Sequence, residues 1–298
     1  MNTLEIKGCG TALLTPFCGS EVDYTAFASL VDRQVAAGID FLVPLGTTGE
    51  TPTLSDEEKR RVLDATLQHA DGLPVVAGVG SNSVSATVAN MRLLHDADAF
   101  LVVVPFYNKP PQRGIYQYFK AVAESTDKPI ILYNVPGRTG SNISAETTLA
   151  LARDIPNIVG IKEASSNQEQ IATILRQRPE WFSVLSGNDS ETLQLMRQGA
   201  DGVISVASNV VPIIMQRFME SLKGRVFGVA EIYNEKQQPL FENLFVEPNP
   251  IPAKYAMSKL GLMENSLRLP LVTASKETEA IIDKTLLKLA ESTFDPVG

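Results

Sequence analysis

The sequence is short of histidine and cysteine, with only two of each among 298 residues. His69 and His95 each fall near the end of a helical pattern, where a cation interacts favourably with the helix dipole. A zinc site or a catalytic triad built on histidine is therefore not expected. Cys9 and Cys18 have neither metal-ligand spacing nor a disulfide framework, a usage that is typical of reduced thiols in the cytoplasm.

The sequence also lacks the features of membrane proteins and of nucleic-acid-binding proteins. No apolar stretch reaches the ~18 residues of a membrane span, and the N-terminus has no long apolar segment typical of a signal peptide. The net charge is −8, whereas phosphate binding needs a basic face. Neither a complete dinucleotide fingerprint nor a P-loop is present. We expect a cytoplasmic protein that binds no nucleic acid, no membrane and no nucleotide cofactor.

Eight short apolar runs recur along the chain, with helical patterns between them. The runs are rich in β-branched residues and mostly unalternating, which favours strands buried on both faces of a parallel sheet. This alternation predicts an α/β fold, a (β/α)8 TIM barrel, with an open doubly wound sheet as the alternative. The runs are 10–17, 41–48, 74–80, 99–107, 129–136, 158–165, 182–189 and 202–209.

Helix signals mark several segments between and after these runs. Ser55 and Glu58 have the spacing of a capping box at the start of one helix. Pro252 follows a proline-rich turn and is placed to begin another. We expect the catalytic barrel to occupy residues 1–225 and a C-terminal helical extension, packed on the barrel, to occupy residues 226–298.

Lys162 lies within the sixth apolar run, in the motif GIKEAS. The active residues of a (β/α)8 barrel lie at the C-terminal ends of its strands, and a lysine inside a buried strand is unusual. Burial favours the neutral amine, which is the form that attacks a carbonyl to make a Schiff base. A salt bridge to Glu163 is the structural alternative, but adjacent residues of a strand point to opposite faces.

Other polar residues lie at or just beyond the ends of neighbouring predicted strands. Tyr133 and Tyr107 end the predicted fifth and fourth strands, where a phenol can relay protons or simply occupy the rim. Thr47 and Thr48 lie in GTTGE, which follows the predicted second strand and can bind an anion through N–H groups and hydroxyls or form an ordinary turn. Arg138 can hold a carboxylate bidentately, although a lone arginine is more often solvated.

Taken together, these motifs resemble the dihydrodipicolinate synthase family of pyruvate-dependent class I aldolases over nearly the whole chain. GTTGE and the tyrosine and lysine positions are shared by the wider aldolase superfamily, whereas YNVPGRTG and FVEPNPIPAK point more narrowly to the synthases. The motifs are GTTGE (46–50), VPFYNKP (104–110), LYNVPGRTG (132–140), GIKEAS (160–165), LSGND (185–189), GVISV (202–206) and LFVEPNPIPAK (244–254).

The resemblance implies an enzyme that condenses pyruvate with aspartate-4-semialdehyde in lysine and diaminopimelate biosynthesis. Such an enzyme is a Schiff-base lyase in which carbon–carbon bond formation is followed by cyclisation and dehydration. It needs no metal and no organic cofactor. Lys162 would attack the pyruvate ketone, and Tyr133 would shuttle protons in a relay with Thr47 and Tyr107. In this family the second tyrosine crosses a dimer interface, so Tyr107 would serve the site of a neighbouring subunit.

The same resemblance assigns the binding residues and the assembly. Thr48, together with Thr47, would hold the pyruvate carboxylate. Arg138 would bind the carboxylate of the aldehyde, and Ile204 would offer its backbone carbonyl near the site. The implied assembly is a homotetramer built as a dimer of dimers, with a dimer as the alternative.

One departure from the family concerns regulation. Some members are inhibited by lysine at a site between subunits, which is lined by histidines, a glutamate and a paired tyrosine. Here Asp56 and Lys59 match the histidines, Ala86 matches the glutamate and Phe106 matches the tyrosine, whereas Asn82 is retained. We therefore expect weak inhibition by lysine or none.

Three alternative functions can be weighed against the sequence. A sister aldolase, such as N-acetylneuraminate lyase or a keto-deoxy-sugar acid aldolase, would share the lysine, tyrosine and GTTGE elements, but Arg138 favours a short carboxylated aldehyde. A barrel that only senses a keto acid would not need the complete set of catalytic candidates. A phosphate-dependent barrel enzyme should have a glycine-rich loop after strands seven and eight, which SGNDS and SVASN do not clearly provide.

Overall fold

The computed structural model describes residues 6–291, and these residues fall into two compact units. Within that range, one unit comprises residues 6–7 and 74–204, and the other comprises residues 8–73 and 205–291. None of the helices in the described range has the length and apolar character needed to span a lipid bilayer. The expected boundary near residue 225 stays a prediction.

Ten strands lie within the described residues. Eight of them correspond to the eight apolar runs, and each strand is shorter than its run. The other two form a small antiparallel hairpin, β2 and β3, which the sequence did not predict. The strands are β1 Gly8–Ala12, β2 Phe17–Cys18, β3 Glu21–Val22, β4 Phe41–Val43, β5 Val76–Gly78, β6 Ala99–Val103, β7 Ile130–Asn134, β8 Ile158–Glu163, β9 Ser183–Ser186 and β10 Gly202–Ser205.

Twelve α-helices alternate with these strands or follow them within the same range. The chain order of strand and helix is that of a (β/α)8 barrel with helices added at its C-terminal end. The helices are α1 Tyr24–Ala36, α2 Asp56–His69, α3 Val84–Leu93, α4 Gln112–Ala123, α5 Pro136–Thr139, α6 Ala145–Asp154, α7 Gln168–Gln177, α8 Thr192–Arg197, α9 Pro212–Lys223, α10 Phe227–Asn243, α11 Ile251–Lys259 and α12 Lys276–Glu291.

The helix signals of the sequence are confirmed where the structure tests them. The Ser55 hydroxyl accepts a hydrogen bond from the Glu58 N–H at 3.2 Å, and the Glu58 carboxylate accepts one from the Ser55 N–H at 2.8 Å. This is the complete capping box at the start of α2. Pro252 lies in the first turn of α11, where its missing N–H costs no helical hydrogen bond.

The first unit contains a parallel sheet. Its strands β5 to β10 lie side by side in chain order, and each neighbouring pair is parallel. Every residue of β7 and β8 is buried, as expected for strands of a parallel sheet with both faces covered. The register pairs Tyr133 with Lys162 and Asn134 with Glu163, at the carboxyl ends of these two strands.

The second unit contains the parallel pair β1 and β4, the hairpin, and the helices α1, α2 and α9 to α12. Within it α10 packs against both α9 and α12, and α11 packs against α12. The motif GTTGE follows β4 and forms a turn of 3-10 helix. The turn ends at Glu50, whose φ of +53° lies in the left-handed region.

Candidate active site

Lys162 and Tyr133 lie side by side near the carboxyl ends of β8 and β7. The Lys162 Nζ is 4.4 Å from the centroid of the Tyr133 ring. Both residues are buried, with 6% of Lys162 and 8% of Tyr133 exposed. The structure therefore brings together a buried amine and a phenol, two groups that can act as a nucleophile and a proton carrier in carbonyl chemistry.

The Lys162 amine has no carboxylate within ion-pair distance among residues 6–291. The space for its side chain depends on Gly187, because a Cβ there would lie 3.2 Å from the Lys162 Cε and 2.6 Å from the Cβ of Ala164. A lysine held in this way contacts an aromatic ring instead of a counter-ion.

The Glu163 carboxylate is buried and has its own partners. It accepts hydrogen bonds from the Asn134 side chain at 3.0 and 3.1 Å, from the Gln170 side chain at 3.1 Å and from the Ser165 N–H at 2.8 Å. Burial raises the pKa of Glu163, and these hydrogen bonds act in the opposite direction. The alternative of a simple Lys162–Glu163 pair is thereby disfavoured. The hydrogen bonds from Asn134 also join β7 to β8 next to Lys162.

The other candidates of the first unit differ from Lys162 and Tyr133 in exposure or backbone conformation. Tyr107 follows β6 and is 86% exposed, with a φ of +71°. A non-glycine residue rarely adopts this conformation, and such residues concentrate at functional positions. Arg138 is exposed in the short helix α5 that follows β7. Ile204 is fully buried in β10.

Thr47 and Thr48 belong to the second unit, in the turn that GTTGE forms. The N–H groups of Gly49 and Glu50 donate to the carbonyls of Gly46 at 3.1 Å and Thr47 at 3.2 Å. The N–H groups of Thr47 and Thr48 have no acceptor within the described part of the chain, as is usual for the first residues of a helical turn. Unpaired N–H groups of this kind can bind an anion.

Two contacts of this turn are not apparent from the sequence. The Asn249 Nδ2 donates a hydrogen bond of 2.9 Å to the Thr48 Oγ1, and both residues are buried. The carboxylate of Glu50 forms an ion pair with Lys254, with 2.5 Å between Oε1 and Nζ. Asn249 and Lys254 lie within FVEPNPIPAK, so the motif was visible, but its contacts with GTTGE were not.

The Lys254 amine is enclosed completely, with none of its side chain exposed. It donates to the carbonyl of Ser266 at 2.9 Å and lies 3.9 Å from the centroid of the Phe17 ring. Burial lowers the pKa of Lys254 to about 8, whereas its contact with Glu50 raises it. The second oxygen of Glu50 accepts the N–H of Arg268 at 3.1 Å. Both oxygens of this buried carboxylate are therefore held.

The described residues contain no cluster of three or more histidine, cysteine, aspartate or glutamate side chains that could hold a metal ion. The expected independence from cofactors stays a prediction.

Comparison with known proteins shows relatives over nearly the full length. The model of the dihydrodipicolinate synthetase family matches residues 5–289. A protein of Chlorobium phaeobacteroides named 4-hydroxy-tetrahydrodipicolinate synthase is 44% identical over 96% of this chain and 98% of its own.

Solved structures match over the same share of the chain. The dihydrodipicolinate synthase of Thermotoga maritima has a TM-score of 0.95 and 41% identity, over 96% of this chain and 99% of its own. That of Aquifex aeolicus has a TM-score of 0.93 and 43% identity, over 96% and 98%. These matches confirm the predicted (β/α)8 barrel with C-terminal helices. The chain belongs to the dihydrodipicolinate synthetase family.

Proposed function

We propose that this chain is a 4-hydroxy-tetrahydrodipicolinate synthase, which condenses pyruvate with aspartate-4-semialdehyde in lysine and diaminopimelate biosynthesis. The observation that carries the proposal is the buried pair of Lys162 and Tyr133, in register on adjacent strands with the amine 4.4 Å from the ring. Membership of the family supports it.

In the proposed reaction the Lys162 amine attacks the ketone carbon of pyruvate, and loss of water gives an iminium. The iminium accepts the electron pair of a methyl C–H bond as the proton leaves, which produces an enamine. The enamine carbon attacks the aldehyde carbon, which regenerates the iminium, and the former aldehyde oxygen takes up a proton. The amine of the second substrate then attacks the iminium carbon, closes the ring and releases Lys162. Tyr133 carries protons in these steps.

The remaining residues bind the substrates in this proposal. Thr47 and Thr48 hold the pyruvate carboxylate through N–H groups and hydroxyls, Thr47 also joins the proton relay, and Arg138 binds the carboxylate of the aldehyde. Ile204 offers its carbonyl near the reacting atoms. The exposure of Tyr107 supports its service to the site of a neighbouring subunit. A homotetramer and a location in the cytoplasm belong to the same proposal.

An assay with competing aldehydes tests the proposed reaction. The protein is incubated with pyruvate and either aspartate-4-semialdehyde or a sugar aldehyde, and pyruvate consumption is measured. We expect turnover with aspartate-4-semialdehyde and little with the sugar. The opposite preference would identify a sister aldolase of the N-acetylneuraminate lyase or keto-deoxy-sugar acid type.

Replacing Tyr133 with phenylalanine is expected to lower kcat by about 10²- to 10⁴-fold, the usual contribution of a positioned proton carrier. The ring beside Lys162 is retained, so folding and pyruvate binding should persist. Tyr118→Phe is a matched control, because Tyr118 is also buried and donates to the Ser81 carbonyl at 2.7 Å. That variant should lose about 1 kcal/mol of stability and keep its kcat. Equal kcat values for the two variants would remove Tyr133 from the mechanism.

Lysine at millimolar concentration is expected to change the rate little. Lys59 forms an ion pair with Asp56 at 3.0 Å, so this pair offers a cation where the inhibited relatives have histidines. Ala86 is exposed and offers no anion for the ammonium of free lysine. Initial rates measured with and without lysine check this expectation. Strong inhibition would show that other residues form an effector site.

A further inference from the structure

The side chain of Asn249 forms a hydrogen bond with the hydroxyl group of Thr48. Its Nδ2 donates to the Thr48 Oγ1 at 2.9 Å. We propose that Asn249 is a positioning residue for pyruvate, which turns the Thr48 hydroxyl so that its proton points to the substrate carboxylate. This inference rests on the proposed function, because it takes the carboxylate of pyruvate as the ligand of Thr48.

The chemistry of the hydroxyl supports this role. A threonine hydroxyl has one proton to donate and lone pairs that accept. Because the Asn249 amide occupies a lone pair, the Thr48 proton must find another acceptor, and none lies within the described part of the chain. A carboxylate suits this position, because its hydrogen bonds with donors are charge-assisted. The unpaired N–H groups of Thr47 and Thr48 lie in the same turn.

The same segment fixes the turn at a second point. Asn249 lies two residues before the start of α11, and Lys254 lies within that helix. Lys254 holds one oxygen of Glu50, and the Arg268 N–H holds the other. Glu50 has a left-handed backbone conformation, which carries a cost that its surroundings must offset. Asn249 and Lys254 thus hold the middle and the end of the turn, so its donors are arranged before a ligand arrives.

The test measures how much pyruvate is needed for half-maximal trapping on Lys162 by borohydride. Asn249→Asp preserves the shape of the side chain but replaces the donor with an acceptor, so the Thr48 proton is drawn away from the substrate. We expect half-maximal trapping to need about tenfold more pyruvate, which corresponds to one hydrogen bond to a charged group. The amount trapped at saturation should equal that of the wild type.

A double-mutant cycle separates this role from simple charge repulsion. Thr48→Val removes the hydroxyl, and adding Asn249→Asp to it should raise the half-saturating concentration little further. An effect of the same size in both backgrounds would overturn the proposal. If Asn249→Asp does not fold, the same double-mutant cycle is measured with Asn249→Ala in its place.

Asn243→Asp is the matched control. The Asn243 Nδ2 donates to the Thr285 Oγ1 at 2.8 Å, so it is the same kind of donor–acceptor pair within the same unit. This variant should trap pyruvate at wild-type concentrations. Wild-type half-saturation in Asn249→Asp and Asn249→Ala would overturn the role of Asn249, whereas a wild-type protein that traps no pyruvate would overturn the proposed function itself.

Discussion

Lys162→Met is expected to abolish the condensation while the fold persists. Methionine has a similar length and fills the buried space beside Tyr133, but it has no amine to attack a ketone. We expect kcat to fall by about a thousandfold or more, as happens when a covalent nucleophile is removed. Steady-state rates with both substrates measure this loss.

Lys162→Met should lose its activity without losing stability. Lys162 has no carboxylate partner among residues 6–291, so its replacement leaves no unpaired charge behind. Removing a buried amine in favour of an apolar group of similar volume should leave the free energy of unfolding unchanged or raise it. A variant that retained its rate would show that another group carries the chemistry.

Lys254→Met, in contrast to Lys162→Met, is expected to lower the free energy of unfolding substantially. Lys254 and Lys162 are the two lysines that the described residues bury, but only Lys254 is paired with a carboxylate. The substitution leaves Glu50 buried without its counter-ion, which typically costs about 3–5 kcal/mol. The midpoint of urea unfolding should therefore move to a clearly lower concentration, relative to both the wild type and Lys162→Met.

A second substitution shows whether the unpaired charge causes this loss. Glu50→Gln removes the negative charge, and adding it to Lys254→Met should restore part of the lost stability. If the double variant is destabilised by the sum of the two single effects, the Glu50–Lys254 pair does not act as described. The same holds if Lys254→Met unfolds at the wild-type midpoint.

The eight strands of the barrel could be predicted because burial on both faces leaves continuous apolar runs. Their ends could not, because apolar residues continue past the last hydrogen-bonded pair, as they do beyond Val43. The hairpin β2–β3 was missed because strands of two residues have no periodicity to detect.

Lys162 could be singled out as a candidate because a lysine inside a buried strand is unusual, and the structure confirms its burial. Lys254 gave no such signal, since a lysine in a helical segment is ordinary and its burial arises from packing against Phe17 and Glu50. The contact between Asn249 and Thr48 could not be predicted either, because a hydrogen bond between residues far apart in the chain leaves no local pattern. These contacts depend on tertiary packing, which a local reading of the sequence does not supply.

Trapping the covalent intermediate tests most directly whether the Lys162 amine is the nucleophile. The protein is incubated with pyruvate, reduced with borohydride and digested, and the modified peptide is identified by mass spectrometry. We expect a reduced pyruvyl adduct on Lys162 that is absent from Lys162→Met. A folded wild-type protein without an adduct, or with the adduct on another lysine, would contradict this expectation.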